Sequence, residues 1–314
     1  MKRAHAAVYN FTGDTMKTHV PLRSLLVATN LADTEWILPL AAWLADESGA
    51  SVTVLHVLPV IHGFTIDLGC EPYYDPREAI AAATKEIQTL CERFFPPQLR
   101  REILVLDGSP TDNILATARE SQADLLLLGT AGHRGMEKWL AGSVADTVLR
   151  SVSIPVLTIG PHARRAAASG RPIQSILFAA SLNASSAKAA EISRQWAERL
   201  HGHLTLLHVV PEEVKARLAK QQLPNLCEQK LRSLLPEEVF QSGLVGVQIR
   251  TGNPCREILA AAAHADLLIL GAEHPPMLGR LAREGTLHRV LSEAHCPVAS
   301  FHHDRAKPST SVSN

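Results

Sequence analysis

Short apolar runs alternate with longer, Ala-rich stretches of helical period along the whole chain. Apolar runs of this kind are typical of strands that are buried on both faces of a sheet. In the first half they predict strands at about 23–29, 51–58, 102–106, 124–129 and 155–159. The stretches between them predict helices at about 34–48, 76–94, 111–121 and 143–150. Strands that alternate with helices indicate βαβ units and a parallel sheet with right-handed crossovers.

The second half of the chain repeats the first in the same order. The segment Ala123-Asp-Leu-Leu-Leu-Leu-Gly129 recurs as Ala265-Asp-Leu-Leu-Ile-Leu-Gly271, and Thr53-Val-Leu-His-Val57 recurs as Thr205-Leu-Leu-His-Val209. Ordered matches of this kind indicate a duplicated domain. We therefore predict an α/β protein of two tandem doubly wound (Rossmann-like) domains, each a five-stranded parallel sheet with about four helices.

Local composition predicts where the two units begin and end. A small, polar and basic stretch between two prolines, residues 162–171, is typical of a linker. The predicted organisation is a flexible N-terminal tail at 1–18, a first domain at 19–161, the linker at 162–171, a second domain at 172–303 and a C-terminal tail at 304–314.

Composition and charge narrow the classes of function. The chain has 314 residues, of which 46% are hydrophobic, and Lys plus Arg equals Asp plus Glu at 31, so no basic excess indicates a nucleic-acid partner. The longest uncharged run, residues 48–66, contains His56 and Pro59, and it predicts a strand and a loop rather than a membrane span. Five scattered cysteines without a CxxC pair indicate reduced thiols. Since the N-terminus lacks the pattern of a signal peptide, we expect a cytoplasmic protein.

The stretch after the fourth predicted strand carries the clearest chemical signal. It begins Gly129-Thr-Ala-Gly132-His-Arg and ends with Gly142-Ser143 at the start of a predicted helix. Gly129 lets the chain turn off the strand, and Gly132 has no Cβ atom to block a ligand that lies on the backbone. The free N–H groups at a helix start suit a phosphate. The same residues also suit a loop that is simply well capped by Ser143. The glycines alone leave both interpretations open.

The spacing G-x2-G-x9-G-S directly after the ADLLLLG strand resembles the nucleotide-binding signature of universal stress proteins. The first strand ending Val27-Ala-Thr-Asn30, the LHV second strand, the G-x-P turn and the IPV last strand are also similar to that family. The resemblance implies a tandem universal stress protein that binds ATP, with or without Mg²⁺, or a related adenine nucleotide in its N-terminal domain. It implies a sensor or regulator of the stress response rather than an enzyme, with weak ATPase or autophosphorylation activity left open.

The resemblance places a nucleotide between the tip of the first strand and the glycine-rich loop. It implies these site residues: Ala28, Thr29, Asn30, Val57, Leu128, Gly129, Gly132, His133, Arg134, Gly142, Ser143 and Val144. The strand tip and Val57 would face adenine and ribose, and the helix start would bind the phosphates. The family usually has Asp at the position of Asn30, so we expect weaker binding of the adenosine part of the nucleotide. No catalytic residue and no metal ligand is implied.

The second half departs from this signature. His274 stands where Gly132 is expected, Pro275 and Pro276 stiffen the loop, and Glu284 would repel phosphates. We therefore predict one nucleotide per chain, in the first half. His288 and Arg289 are expected to offset part of the repulsion in the second half.

Two expectations concern partners. By analogy with family homodimers, the domains should pack as an intrachain pseudo-symmetric pair through their last strands, about 155–159 and 297–301, with two separate sheets. A further homodimer of whole chains is left open. The alternative function is a nucleotide-free interaction scaffold of the same fold, with the loop at 59–76 as the contact surface for an unknown protein partner.

Overall fold

The computed structural model of the protein describes residues 22–58, 75–130, 144–182, 186–212, 223–272 and 286–302. Both predicted tails, most of the 59–76 loop and the glycine-rich loop lie outside these residues. None of the described helices is long and apolar enough to cross a bilayer.

The first half forms the predicted series of strands and helices, with bounds that differ from the predicted ones by at most one residue. Its elements are β1 (Ser24–Thr29), α1 (Thr34–Ser48), β2 (Ser51–Leu58), α2 (Pro76–Phe94), β3 (Arg101–Asp107), α3 (Pro110–Glu120), β4 (Leu125–Gly129), α4 (Val144–Ser151) and β5 (Val156–Ile159).

The rest of the described chain repeats this series after a short helix, with one additional short helix before its third strand. Its elements are α5 (Arg164–Ala168), β6 (Ser175–Ala179), α6 (Ser186–Arg199), β7 (His203–Val210), α7 (Leu223–Arg232), α8 (Glu237–Gln241), β8 (Val245–Thr251), α9 (Pro254–Ala262), β9 (Leu267–Ala272), α10 (Thr286–Glu293) and β10 (Val298–His302). The G-x-P turn that recurs in both halves starts a helix each time. Ser109 caps α3 and Asn253 caps α9, and in each helix the proline that follows occupies the first turn, where its missing N–H costs nothing.

All ten strands join one sheet in the order β3-β2-β1-β4-β5-β10-β9-β6-β7-β8. Within each half the five strands are parallel, as predicted. Where the halves meet, β5 and β10 pair antiparallel, with Leu157 opposite Ala299. The predicted last strands therefore form the contact between the domains, whereas the expectation of two separate sheets was wrong. Each last strand has an edge with unpaired backbone groups, and pairing the two edges satisfies those groups.

The domain seam, meaning the β5–β10 pair and the helices that flank it, is closely packed on both faces of the sheet. On one face a single apolar core runs through both halves and takes in α1, α5 and α6. Helix α5 lies in the predicted linker, where it buries Ala163 and Ala167 and packs against α1. On the other face α4 and α10 share a second core. There, a Cβ atom on Gly160 would overlap the carbonyl oxygen of Leu291, so the seam requires glycine at that position.

Candidate functional site

The carboxyl ends of β1 and β4 lie side by side at the point where strand order reverses. Val27 pairs with Leu127 and Ala28 with Leu128, and the strands end at Thr29 and Gly129. The chain leaves β1 toward β2 and β3 and returns on the other side of β1 as β4. In doubly wound sheets the ligand crevice lies at this switch point.

Apolar residues of the predicted site share one face of the sheet. Ala28, Val57 and Leu128 are buried in the core that also contains Val148 and Leu149 of α4. The strand tips and the start of α4 therefore border the same side of the sheet. That is the arrangement needed for one ligand to contact both.

The turn after β1 is held by side chains of its own residues. The backbone N–H of Leu31 donates to Thr29 Oγ1 at 3.0 Å, and the N–H of Ala32 donates to Asn30 Oδ1 at 3.0 Å. Leu31 has a φ of 71°, a left-handed conformation that is uncommon outside glycine. The Asn30 amide oxygen thus stabilises the turn, a role that short polar side chains commonly take.

Asp33 lies between the two strand tips and was missed by the sequence analysis. It precedes α1 but accepts no hydrogen bond from the amides of the first turn. Its side chain turns inward instead, is 2% exposed, and accepts a hydrogen bond from Thr29 Oγ1 through Oδ1. The only sequence signal was a carboxylate at a helix start four residues beyond the end of β1.

The carboxyl group of Asp33 packs directly on the backbone of Gly129. A Cβ atom on Gly129 would lie 2.8 Å from Asp33 Cγ and 2.9 Å from Asp33 Cβ, and closer still to Oδ2. Real Cβ atoms do not approach other heavy atoms this closely. In the described residues the glycine at 129 is therefore required by Asp33, and its assignment to the nucleotide site stays a prediction.

Histidines on the second strand of each half tie neighbouring strands together. His56 Nδ1 lies 2.9 Å from the carbonyl oxygen of Thr29, and His208 Nδ1 lies 2.9 Å from that of Ala180. In each pair the ring N–H donates to the carbonyl. Because the same bond occurs in both halves, these histidines stabilise the strand tips.

Most of the glycine-rich part of the predicted site belongs to a stretch that the structure does not describe. Gly132, His133, Arg134, Gly142 and Ser143 lie outside the described residues. Val144, the first residue of α4, is 38% exposed. The assignment of these residues to a nucleotide stays a prediction.

Helix α4 contacts the second domain through Asp146 in its first turn. His288 of α10 places Nε2 2.8 Å from Asp146 Oδ1, and Arg150 places Nε 3.1 Å from Asp146 Oδ2. Burial acts to raise the pKa of Asp146, but the hydrogen bonds and charges of Arg150 and His288 outweigh it and hold the pKa below its ordinary value of 3.8. His288 was expected to offset part of the repulsion between Glu284 and phosphates in the second half. In the structure it pairs with Asp146 of the first half.

The matching position in the second half lacks this crowding. A Cβ atom on Gly271 would lie 3.7 Å from Ala189 Cβ and from the ring of Phe178, which are ordinary contacts. The segment aligned with Asp33, residues 183–185, is Asn-Ala-Ser and carries no acid. His274, Pro275, Pro276 and Glu284 lie outside the described residues. Within the described residues, no group of three His, Cys, Asp or Glu side chains could hold a metal ion.

Comparison with known proteins decides the family. The profile described as the universal stress protein family matches residues 21–160 and again residues 172–302. The chain belongs to the universal stress protein family. Two successive matches make it a tandem universal stress protein, as the repeats predicted.

Similar proteins support both the family and the tandem fold. A universal stress protein of Methanocaldococcus jannaschii is 40% identical over 55 residues, which cover 18% of this chain and 32% of that protein. Universal stress protein A homolog 1 of Coxiella burnetii is 27% identical over 145 residues, 44% of this chain and 95% of that protein. The crystal structure of a universal stress protein from Archaeoglobus fulgidus has a TM-score of 0.64 at 18% identity, and the match covers 90% of this chain and 98% of that one. This last similarity shows that the tandem fold of the present universal stress protein occurs in a solved structure.

Proposed function

We propose that this universal stress protein binds ATP, or a related adenine nucleotide, in its N-terminal domain and acts as a sensor or regulator of the stress response. The observation that carries the proposal is the convergence of the β1 and β4 tips at the switch point, on the face of the sheet that carries α4. Bound nucleotide would alter a contact with a protein partner. The proposed role is binding, without chemical turnover.

The described residues suit an adenosine group at the strand tips. Ala28, Val57 and Leu128 form an apolar base at the edge of the sheet, and the polar turn that begins at Asn30 lies beside them. Small-molecule sites commonly combine an apolar lining with a few polar groups of this kind. The start of α4 offers the positive end of the helix dipole to phosphates.

We also propose that the protein acts in the cytoplasm. Cys91, Cys227, Cys255 and Cys296 are all free and buried. Burial raises the pKa of the Cys91 thiol to about 11 and that of the Cys296 thiol to about 12, so both remain protonated and unreactive at neutral pH. Unpaired structural thiols fit a compartment that keeps cysteine reduced.

A nucleotide-free interaction scaffold is the second candidate, and two contacts favour it. The Asn30 amide oxygen already accepts a bond from Ala32, and the Asp33 carboxylate lies on Gly129, at the edge that a ligand would approach. A buried carboxylate near that edge opposes a phosphate-bearing ligand. Residues 59–74 of its proposed contact loop lie outside the described residues.

Calorimetric titration of ATP into nucleotide-free, full-length protein separates the two candidates. The proposed function predicts one ATP per chain, loss of binding in Gly132→Val, and no loss in the matched second-half variant His274→Val. Circular dichroism checks that each variant is folded, and phosphate release is followed in parallel to detect turnover. Absence of heat in the wild type would favour the scaffold, and two equal sites per chain would contradict the assignment to the first half.

A further inference from the structure

Helices α4 and α10 hold equivalent places in the two domains and meet at the domain seam. Asp146 and His288 are 142 residues apart, the same separation as between Val156 and Val298 on the paired strands β5 and β10. They are thus the same position of the repeat. Two identical domains paired in this way would bring two copies of one side chain together, and two carboxylates would repel each other. In this protein the two positions hold Asp146 and His288, which form a hydrogen bond instead.

Asp146 is a charge in an unfavourable place for a phosphate site. It is two residues into α4, and at 1.5 Å of rise per residue it lies about one turn or less from the helix start. A carboxylate there repels every phosphate charge that the helix start would attract. The side chains that contact Asp146 therefore affect how strongly the start of α4 attracts an anion.

Among the described residues, one basic side chain from each domain contacts the carboxylate of Asp146. Arg150 of the same helix contacts Oδ2, and His288 of the second domain contacts Oδ1. The Asp146 side chain is only 13% exposed, so water screens its charge weakly. The interactions with Arg150 and His288 together outweigh burial and lower the pKa of Asp146, so the folded protein favours its ionised form.

We infer that His288 is a positioning residue of the first domain's nucleotide site, because it holds and neutralises Asp146 at the start of α4. The inference rests on the proposed function. It gives the second domain a part in the site of the first, and it makes the strength of phosphate binding depend on contact between the domains.

The test is a series of ligands that differ in phosphate charge. Adenosine, AMP, ADP and ATP are titrated into the full-length wild type and into His288→Gln, whose amide can still donate to Asp146 but carries no charge. We expect ATP affinity to fall about ten-fold, AMP affinity to fall less, and adenosine affinity to stay unchanged, since a carboxylate that keeps Arg150 but loses His288 repels each phosphate charge more strongly. The double variant Asp146→Asn/His288→Gln should recover most of the ATP affinity.

His201→Gln is the matched control. His201 also pairs with a carboxylate of the other domain, with Nε2 3.8 Å from Glu47 Oε1, but it lies beyond α6, on the opposite face of the sheet from α4. It should leave all four affinities unchanged, and urea unfolding verifies that each variant is folded. A His288→Gln variant that binds all four ligands as the wild type does, or that weakens them equally, would overturn the inference. A wild type that binds none of them would remove the proposed function itself.

Discussion

Replacing Gly129 by alanine tests whether Asp33 organises the strand tips. The new methyl group would lie within 3 Å of Asp33 Cγ and Cβ, so the carboxyl group must move away. Gly129 and its counterpart Gly271 both lack a positive φ, so backbone strain does not enter for either. The expected effect therefore comes from the displacement of Asp33 alone.

The size of the stability loss follows from the contacts that Asp33 gives up when it moves. Its carboxylate accepts the hydroxyl hydrogen of Thr29 in a place where both residues are buried. A hydrogen bond to a charged group contributes about 1.5–3 kcal/mol, and forcing a well-packed site to rearrange costs about 1–3 kcal/mol. Alanine recovers about 0.4–1 kcal/mol by restricting the unfolded chain. We expect Gly129→Ala to lower the free energy of unfolding by about 2–4 kcal/mol.

Gly271→Ala is the matched control, because its methyl group meets only ordinary contacts at 3.7 Å. We expect it to be neutral or stabilising by up to about 1 kcal/mol. Both variants are compared with the wild type by urea unfolding of the full-length protein, followed by circular dichroism. Repeating Gly129→Ala in an Asp33→Ala background should remove most of its cost. Equal costs for the two glycine variants, or an undiminished cost without the carboxylate, would refute the role of Asp33.

Two further predictions concern the domain seam. Thr158 Oγ1 is fully buried on β5 and has no hydrogen-bond partner among the described residues. Thr158→Val should therefore raise the free energy of unfolding by about 1 kcal/mol in urea titrations. A loss of stability would contradict this prediction. Asp146 has a pKa below 3.8, so its ionised form stabilises the folded state above that pH, and the benefit is lost as the pH falls through the lowered pKa. The difference in unfolding free energy between wild type and Asp146→Asn should therefore shrink as the pH falls below 3.8, whereas a difference that persists unchanged at pH 2 would argue against the pair.

Local patterns were enough to predict the elements of the fold. Strand β2 was predicted at 51–58 and runs from Ser51 to Leu58, because a continuous apolar run defines a buried strand without help from distant residues. The order of these elements and their repetition then indicated a parallel sheet in each half. The switch point between β1 and β4 followed from that topology.

The remaining features depend on contacts between residues far apart in the chain. β5 pairs with β10 because each is the edge strand of its own half, and a local sequence pattern does not indicate which edge strands will pair. Asp33 has the sequence position of a helix cap, and only the nearness of Thr29 and Gly129 turns its side chain inward. Asp146 and His288 are 142 residues apart, and only the antiparallel pairing of β5 with β10 brings them into contact.

The seam gives a physical reason for the chain to keep a second domain whose glycine signature has degenerated. Strand β10 satisfies the edge of β5, the shared core covers Leu157 on one face, and His288 balances Asp146 on the other. These contributions require the strands and helices of the second domain, but they do not require its loop to bind a ligand. Mutations in the second loop can therefore accumulate without loss of the seam. Loss of His288, by contrast, would leave the first domain with a largely buried carboxylate that lacks its partner from the second.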